Sequence, residues 1–301
     1  MYQVMSELKT VFLVGGEATR LHPLSDKSPK ALLPIRGLSI IDHMLQKFTD
    51  VGLNEFILVA AERHREYWED YRKKSDYIVE IFYEEVKYDT AGFILNNIEL
   101  FPENFICVNG DLLFNLNLDY FLEFISSSDK SVLSTIQVED SSRFGVVLFN
   151  KAGQITGFIE KPISQASVEN NISVGLYYFQ SDDLSSYHDK VKEDNAGTIG
   201  KAVSFEREVF PFLAKKNLLL NCSLKGDIFD VGTRESFIEA SCLEDDFWIH
   251  SSSFVHKSAK IENSVVMEDC VIEENSTVVN SIIGPNIKLE PNSIIEDEIY
   301  C

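Results

Sequence analysis

The chain has 301 residues, 45% of them hydrophobic, with 27 basic against 48 acidic side chains and a formal net charge of −21. So acidic a surface repels polynucleotides and anionic membranes, which excludes nucleic acid and membrane as partners and means that an anionic ligand needs a local Lys/Arg cluster or a metal ion. No apolar run approaches membrane-spanning length, no basic-then-apolar leader opens the sequence, and five cysteines lie without CxxC spacing, so a cytoplasmic protein with neither zinc site nor disulfide framework is expected.

In chain order, residues 10–14 (TVFLV) form a short β-rich run that ends on Gly15-Gly16. A polar loop reaches Pro34, and Ile40, Ile41, Met44, Leu45 and Phe48 then recur at helical spacing. Residues 55–60 (EFILVA) read as a second buried strand, which makes the opening a βαβ unit. Further strands are predicted over 77–83, 104–108, 132–138 and 145–150. A helix is predicted after Thr90, and a hairpin turn at Lys151-Ala152-Gly153. The 104–108 strand runs into Asn109-Gly110-Asp111. These elements describe an α/β domain reaching to about residue 245, a size that suits one large domain with a small appendage.

Beyond it the periodicity changes. Val255, Ile261, Val266, Ile272, Val278, Ile283, Leu289 and Ile295 follow one another at steps of five or six residues. Asn263-Ser264-Val265-Val266 recurs 17 residues later as Asn280-Ser281-Ile282-Ile283. A period near six is neither helical nor alternating, and it suits a hexapeptide β-helix whose triangular coils turn one aliphatic residue per strand inward.

The residues with chemistry begin at Gly15-Gly16-Glu17-Ala18-Thr19-Arg20-Leu21-His22-Pro23-Leu24, followed by Ser28-Pro29-Lys30. Glycines after a parallel strand let backbone N–H groups approach phosphates, and Arg20 and Lys30 supply positive charge. A glycine pair alone is no more than a turn. Asp111 and Asp230 each follow apolar strand residues, so both carboxylates can sit at strand ends facing one cleft, which suits Mg²⁺.

The whole string resembles the signature of the sugar nucleotidyltransferase family, GGxGTRLxPLTxxxPKxLxPI, and the match continues through Ala31-Leu32-Leu33-Pro34-Ile35. Also similar are Val108-Asn109-Gly110-Asp111, the strands around Arg143-Phe144-Gly145 and Gly157-Phe158-Ile159-Glu160-Lys161-Pro162, Ser204-Phe205-Glu206-Arg207-Glu208-Val209-Phe210-Pro211 and Phe229-Asp230-Val231-Gly232-Thr233. The likeness runs strongest to mannose-1-phosphate guanylyltransferases and related heptose- and hexose-1-phosphate enzymes.

The resemblance implies a Rossmann-like, GT-A-like α/β domain with a mixed, mostly parallel sheet over residues 1–245. A short left-handed parallel β-helix over 246–301 completes the implied fold. It implies an enzyme joining an NTP, with GTP favoured, to mannose 1-phosphate or a related hexose or heptose phosphate, using Mg²⁺ held by Asp111 and Asp230. Arg20 would hold the departing pyrophosphate, Lys30 the α-phosphate and Lys161 the sugar's phosphate. Gly145, Glu160 and Ser173 would contact the sugar. Val14, Gly15, Gly16, Glu17, Ala18, Thr19, Asp89, Thr90 and Gly110 would line the nucleotide. It also implies a homo-oligomer, or a hetero-oligomer with a paralogue, assembled through the β-helix.

Four positions depart from the family pattern. Ala18 replaces a glycine, a costly change if that position needs a positive φ. Val14 stands where alanine is usual. Asp89 replaces the glycine of LGTAG and puts a carboxylate near the base or ribose. Ser173 replaces an asparagine of the sugar-binding strand. These departures keep two alternatives open: the same chemistry with UTP, dTTP or ATP, and a non-catalytic regulatory paralogue that binds NDP-sugar.

Overall fold

The computed structural model of the chain describes residues 8–26, 28–141, 144–160, 170–193, 202–243 and 245–301. They divide into two compact units, one built from the chain up to Gly15 with 45–109 and 114–228, the other from 16–44, 110–113 and 229–301.

The first unit is an α/β sheet of nine strands among the described residues. Its seven-strand path runs Ile155–Glu160, Gly145–Phe149, Asn171–Gln180, Asn104–Asn109, Lys9–Leu13, Glu55–Ala61 and Ile78–Glu84, while Ser131–Gln137 pairs Asn171–Gln180 and Leu219–Ser223. Lys9–Leu13 lies parallel to both its neighbours, with Val11 opposite Ile57 on one side and Cys107 on the other. Val11, Phe12, Ile57, Leu58, Ile106, Cys107 and Val108 are all fully buried, as strands covered on both faces require.

The expectation of a mostly parallel sheet holds for this half and for the parallel pair Ser131–Gln137 with Leu219–Ser223, but the sheet as a whole is mixed. Asn171–Gln180 runs antiparallel to Asn104–Asn109, Ser131–Gln137 and Gly145–Phe149, and the hairpin predicted at 151–153 joins Gly145–Phe149 to the antiparallel Ile155–Glu160. The reason is the connections. Strands before residue 109 alternate with helices, whereas Gly145–Phe149 and Ile155–Glu160 are joined by a tight turn that cannot carry a parallel crossover. Asn171–Gln180 also changes register between Ser173 and Tyr177, where Gly175 adopts φ +68°. That positive φ marks a bulge that ordinary side chains fill poorly.

Below the sheet, Phe179 stacks on Phe205 with centroids 4.6 Å apart, and Tyr177 meets Phe210 edge-on at 4.9 Å. A π-helical turn over Phe205–Val209 leads into the helix Phe210–Lys215 and brings both rings under Asn171–Gln180.

In the second unit, three parallel ladders join residues 17 apart: Trp248–Val265–Ile282–Ile299, Val255–Ile272–Leu289 and Ile261–Val278–Ile295. The eight aliphatic residues of the six-residue period all belong to one core or pack against it. At the corners Asn263, Asn280 and Asp297 take φ of +40°, +47° and +56°, a conformation Asn and Asp tolerate. Their side chains stack, with Asn263 Nδ2 donating to Asn280 Oδ1 at 2.8 Å and Asn280 Nδ2 to Asp297 Oδ1 at 3.3 Å. Among the described residues no helix is long and apolar enough to cross a membrane.

Candidate active site

Four charged groups meet in the second unit. Lys30 opens a 3₁₀ turn after Pro29 and is only 9% exposed. Its Nζ donates to Asp111 Oδ2 at 3.2 Å and lies 3.8 Å from Asp230 Oδ1. An ammonium so deeply buried is tolerable only with carboxylates close by.

Gly232 sets the limit on how closely these groups pack. A Cβ there would stand 2.7 Å from Asp230 Oδ1, 2.9 Å from Arg20 Nη2 and 3.4 Å from Lys30 Nζ. The absence of a side chain lets Asp230 and Arg20 approach this closely, while Lys30 Nζ stands at the edge of ordinary contact.

Local structure explains the placement. Asp111 sits in the turn between Asn104–Asn109 and Leu112–Leu116, while Asp230 ends Gly226–Asp230, the strand that pairs Leu112–Leu116. Thr233 then starts the helix Arg234–Cys242, capped reciprocally with Ser236.

No group of three or more acidic, His or Cys side chains gathers as a metal site among the described residues. The donor set nevertheless fits Mg²⁺. Two carboxylates already converge on one cationic group, and Mg²⁺ at phosphates is commonly held by one or two carboxylates, with phosphate oxygens and water completing its shell.

Arg20 is carried by the loop that holds Ala18. Ala18 has φ −91° and ψ 47°, and its carbonyl accepts from Leu21 N at 2.9 Å and Ser25 Oγ at 2.8 Å. The position does not use a positive φ, so the missing glycine costs no backbone strain. Thr19 and Arg20 lie in the 3₁₀ turn that follows; Glu17 precedes Ala18, and a Cβ at Gly16 would meet nothing within 4 Å. Gly110 lies in the turn beside Asp111.

The remaining expected site residues lie in the first unit. Val14 is buried, and its N–H donates to Val59 O at 2.9 Å. Gly15 is pressed by a carboxylate, since a Cβ there would meet Glu84 Oε1 at 2.0 Å. Burial pushes the Glu84 carboxyl above its ordinary value, against the Tyr88 backbone and the charges of Arg63 and Lys87.

Asp89 adopts φ +60°, the backbone a glycine there would take freely. Its carboxylate pairs with Arg207 Nη2 and accepts from Thr90 N at 2.9 Å. Thr90 Oγ1 donates to Glu206 Oε2 at 3.0 Å. Ser173 Oγ lies 3.3 Å from Tyr177 OH, which donates to Glu206 Oε1 at 3.2 Å. Gly145 is paired in register with Glu160. Lys161 lies outside the described residues.

Three contributors carried no role in the sequence reading. Glu84 ends the strand beside Glu55–Ala61 and gave no signal beyond a strand-end acid. Glu206 and Gly232 sit inside the family-like strings at 204–211 and 229–233, but what each touches lies on other elements, Thr90 and Tyr177 for Glu206 and Arg20 and Lys30 for Gly232.

Comparisons with known proteins bear on the family and the fold. The profile of the nucleotidyl transferase family matches residues 9–246. Mannose-1-phosphate guanylyltransferase catalytic subunit beta of Drosophila pseudoobscura pseudoobscura is 30% identical over 242 residues, 78% of this chain and 62% of that protein. The Dictyostelium discoideum subunit of the same name is 31% identical, covering 77% and 63%. A mannose-1-phosphate guanylyltransferase of Mycobacterium tuberculosis is 30% identical, covering 78% and 64%. The matches thus span a little under two thirds of these relatives' own length. A crystal structure of a putative glucose-1-phosphate thymidylyltransferase from Bacillus anthracis superposes with a TM-score of 0.67 at 19% identity, covering 79% of this chain and 96% of that one, and shows the shared fold. The chain belongs to the nucleotidyl transferase family.

Proposed function

We propose that this protein is a sugar-1-phosphate nucleotidyltransferase, converting an NTP and a sugar 1-phosphate into NDP-sugar and pyrophosphate. The observation that carries the reading is the convergence of Arg20, Lys30 and Asp230 at Gly232, with Asp111 bonded to Lys30. In the reaction an oxygen of the sugar phosphate attacks the α-phosphorus and pyrophosphate leaves in line. The protein's work is mostly orientation and neutralisation of charge.

Lys30 would neutralise the α-phosphate; an ammonium has three donors, of which Asp111 engages one. Arg20, beside it, presents a planar fork to the departing pyrophosphate. Asp111 and Asp230 would hold Mg²⁺, which when bound supplies further neutralisation of the phosphate oxygens. Lys161 is assigned to the sugar's phosphate, and Gly145, Glu160 and Ser173 to the sugar, on resemblance.

GTP is the favoured nucleotide. Guanine presents N1–H and N2–H₂ donors on one edge, and Glu84, a carboxylate beside the nucleotide loop at Gly15, is the acceptor that suits them. Asp89 is less suited, because Arg207 and Thr90 N already engage it. Mannose 1-phosphate or a related hexose or heptose phosphate is favoured by the names of the relatives.

We also read the three ladders as coils of a left-handed β-helix over 246–301, after a catalytic domain over 1–245. Assembly through these coils and a cytoplasmic address belong to the same proposal.

The test supplies the purified protein with Mg²⁺, each NTP in turn and a panel of sugar 1-phosphates, and follows pyrophosphate release. Turnover, best with GTP, is expected. Tight NDP-sugar binding without turnover on any pair would overturn the enzymatic reading in favour of the regulatory paralogue.

A further inference from the structure

We propose that Glu206 is a positioning residue that fixes the proton direction of the Ser173 hydroxyl, so that Ser173 offers the sugar only an acceptor and requires a free sugar hydroxyl opposite it. The inference rests on the functional reading above, in which Ser173 faces the sugar.

A carboxylate accepts hydrogen bonds and gives none. Glu206 Oε2 accepts from Thr90 Oγ1 at 3.0 Å and Ser204 Oγ at 2.8 Å, and its Oε1 from Tyr177 OH at 3.2 Å. Tyr177 has one hydroxyl proton, and Glu206 takes it. At the 3.3 Å contact between Tyr177 OH and Ser173 Oγ, the phenol oxygen is therefore the acceptor and Ser173 the donor. The serine's only proton is spent inside the protein, and only lone pairs remain for a ligand.

The relay has little freedom to reverse. Tyr177 is 1% exposed, and its ring is held against Phe210, Phe179 and Phe205 at centroid distances of 4.9, 5.9 and 6.1 Å. Burial, then the charge of Glu206, holds the Tyr177 phenol well above its ordinary pKa, so the proton stays on it. Thr90 Oγ1 already accepts from Phe205 N at 2.8 Å, and Ser204 Oγ from Arg207 N at 3.2 Å. Both hydroxyls are thereby committed to donating towards Glu206. Thr90 is for the same reason a strut, with its hydroxyl proton and one lone pair used before any nucleotide arrives.

The consequence is a selection rule. The asparagine usual at position 173 carries both a donor and an acceptor, whereas Ser173 with its proton committed carries an acceptor alone. A sugar hydroxyl satisfies it. A fluorine or an acyl carbonyl at the same place leaves two acceptors facing each other.

The test compares kcat/KM for the sugar 1-phosphate the wild type uses best with its monodeoxyfluoro analogues, since fluorine cannot donate. Wild type, Glu206→Gln and Tyr177→Phe are each measured. In the wild type, fluorine at one ring position is expected to cost about tenfold, chiefly through KM. In Glu206→Gln the donors Thr90 and Ser204 pin the amide oxygen, which turns the NH₂ on Tyr177, reverses the relay and frees the Ser173 proton. Tyr177→Phe frees the same proton by deleting the acceptor. In both variants the fluorine deficit is expected to shrink to about threefold or less. The deficit is a ratio of two substrates on one protein, so partial loss of folded enzyme does not move it.

An unchanged deficit in both variants, or none at any position in the wild type, overturns the inference while leaving the transferase reading intact. Absence of turnover on every sugar 1-phosphate overturns both together.

Discussion

At Ala18 the backbone sits at φ −91°, within reach of any L-residue, so restoring the glycine usual in the family has no strain to relieve. Glycine would instead add freedom to the unfolded chain, which costs about 0.4–1 kcal/mol at a compatible position. Ala18→Gly is therefore expected to lower stability slightly in denaturant unfolding and to leave kcat/KM unchanged; a tenfold gain in activity would contradict this. Glu84 is the opposite case, an acid held at Gly15 against its own solvation. Its folded pKa lies above the ordinary 4.5, so the folded state binds the proton more tightly than the unfolded one. Stability is consequently lost as pH rises through the window from 4.5 up to that raised value, and stays lost above it. Glu84→Gln is expected to raise Tm at pH 7, to have no such effect below pH 4.5, and to raise KM for GTP. A lowered Tm at neutral pH, with KM unmoved, would show that this carboxylate is neither strained nor engaged with the base.

Elements decide where the aspartates stand. Gly226–Asp230 and Leu112–Leu116 form a two-stranded pair, with Asp230 closing one strand and Asp111 preceding the other. Gly226 has φ +136°, and a Cβ on it would fall 2.0 Å from the Asn115 carbonyl oxygen. Gly226→Ala must displace backbone, with an expected loss of about 2–4 kcal/mol and of activity beyond what stability explains. Gly153→Ala is the control, because Gly153 has φ +77° but nothing within 4 Å of an added Cβ. Its cost is expected near 1 kcal/mol, without effect on turnover. Equal effects of the two substitutions, compared by chemical denaturation, would contradict the placement of the pair.

Across the whole molecule, a net charge of −21 makes phosphate chemistry depend on locally held cations; Arg20 and Lys30 only balance Asp111 and Asp230, so the surplus falls to the proposed Mg²⁺. What was legible in the sequence follows from how local each signal is. The β-rich run at 10–14, observed as the strand Lys9–Leu13, the hairpin at 151–153 and the six-residue period are written in adjacent residues, and the structure forms all three. The antiparallel placement of Asn171–Gln180 was not legible, because its pairing with Asn104–Asn109 depends on residues far apart in the chain. Arg20, Lys30, Asp111 and Asp230 could be singled out by residue type and motif, but the Gly232 gap beside Arg20 and Asp230 could not. Glu84 and Glu206 escaped for a related reason: each matters through a neighbour on another element.

The most direct measurement is Mg²⁺-dependent pyrophosphate release from GTP and mannose 1-phosphate by the wild type and by Asp111→Asn, with folding of both checked by thermal unfolding. Turnover by the wild type that chelation abolishes is expected. A loss of at least about a hundredfold is expected in Asp111→Asn at similar Tm, a barrier increase of about 2.7 kcal/mol. Turnover by Asp111→Asn equal to that of the wild type would contradict the assignment of Asp111, and with it the reading of the four charged residues as a phosphate-transfer site.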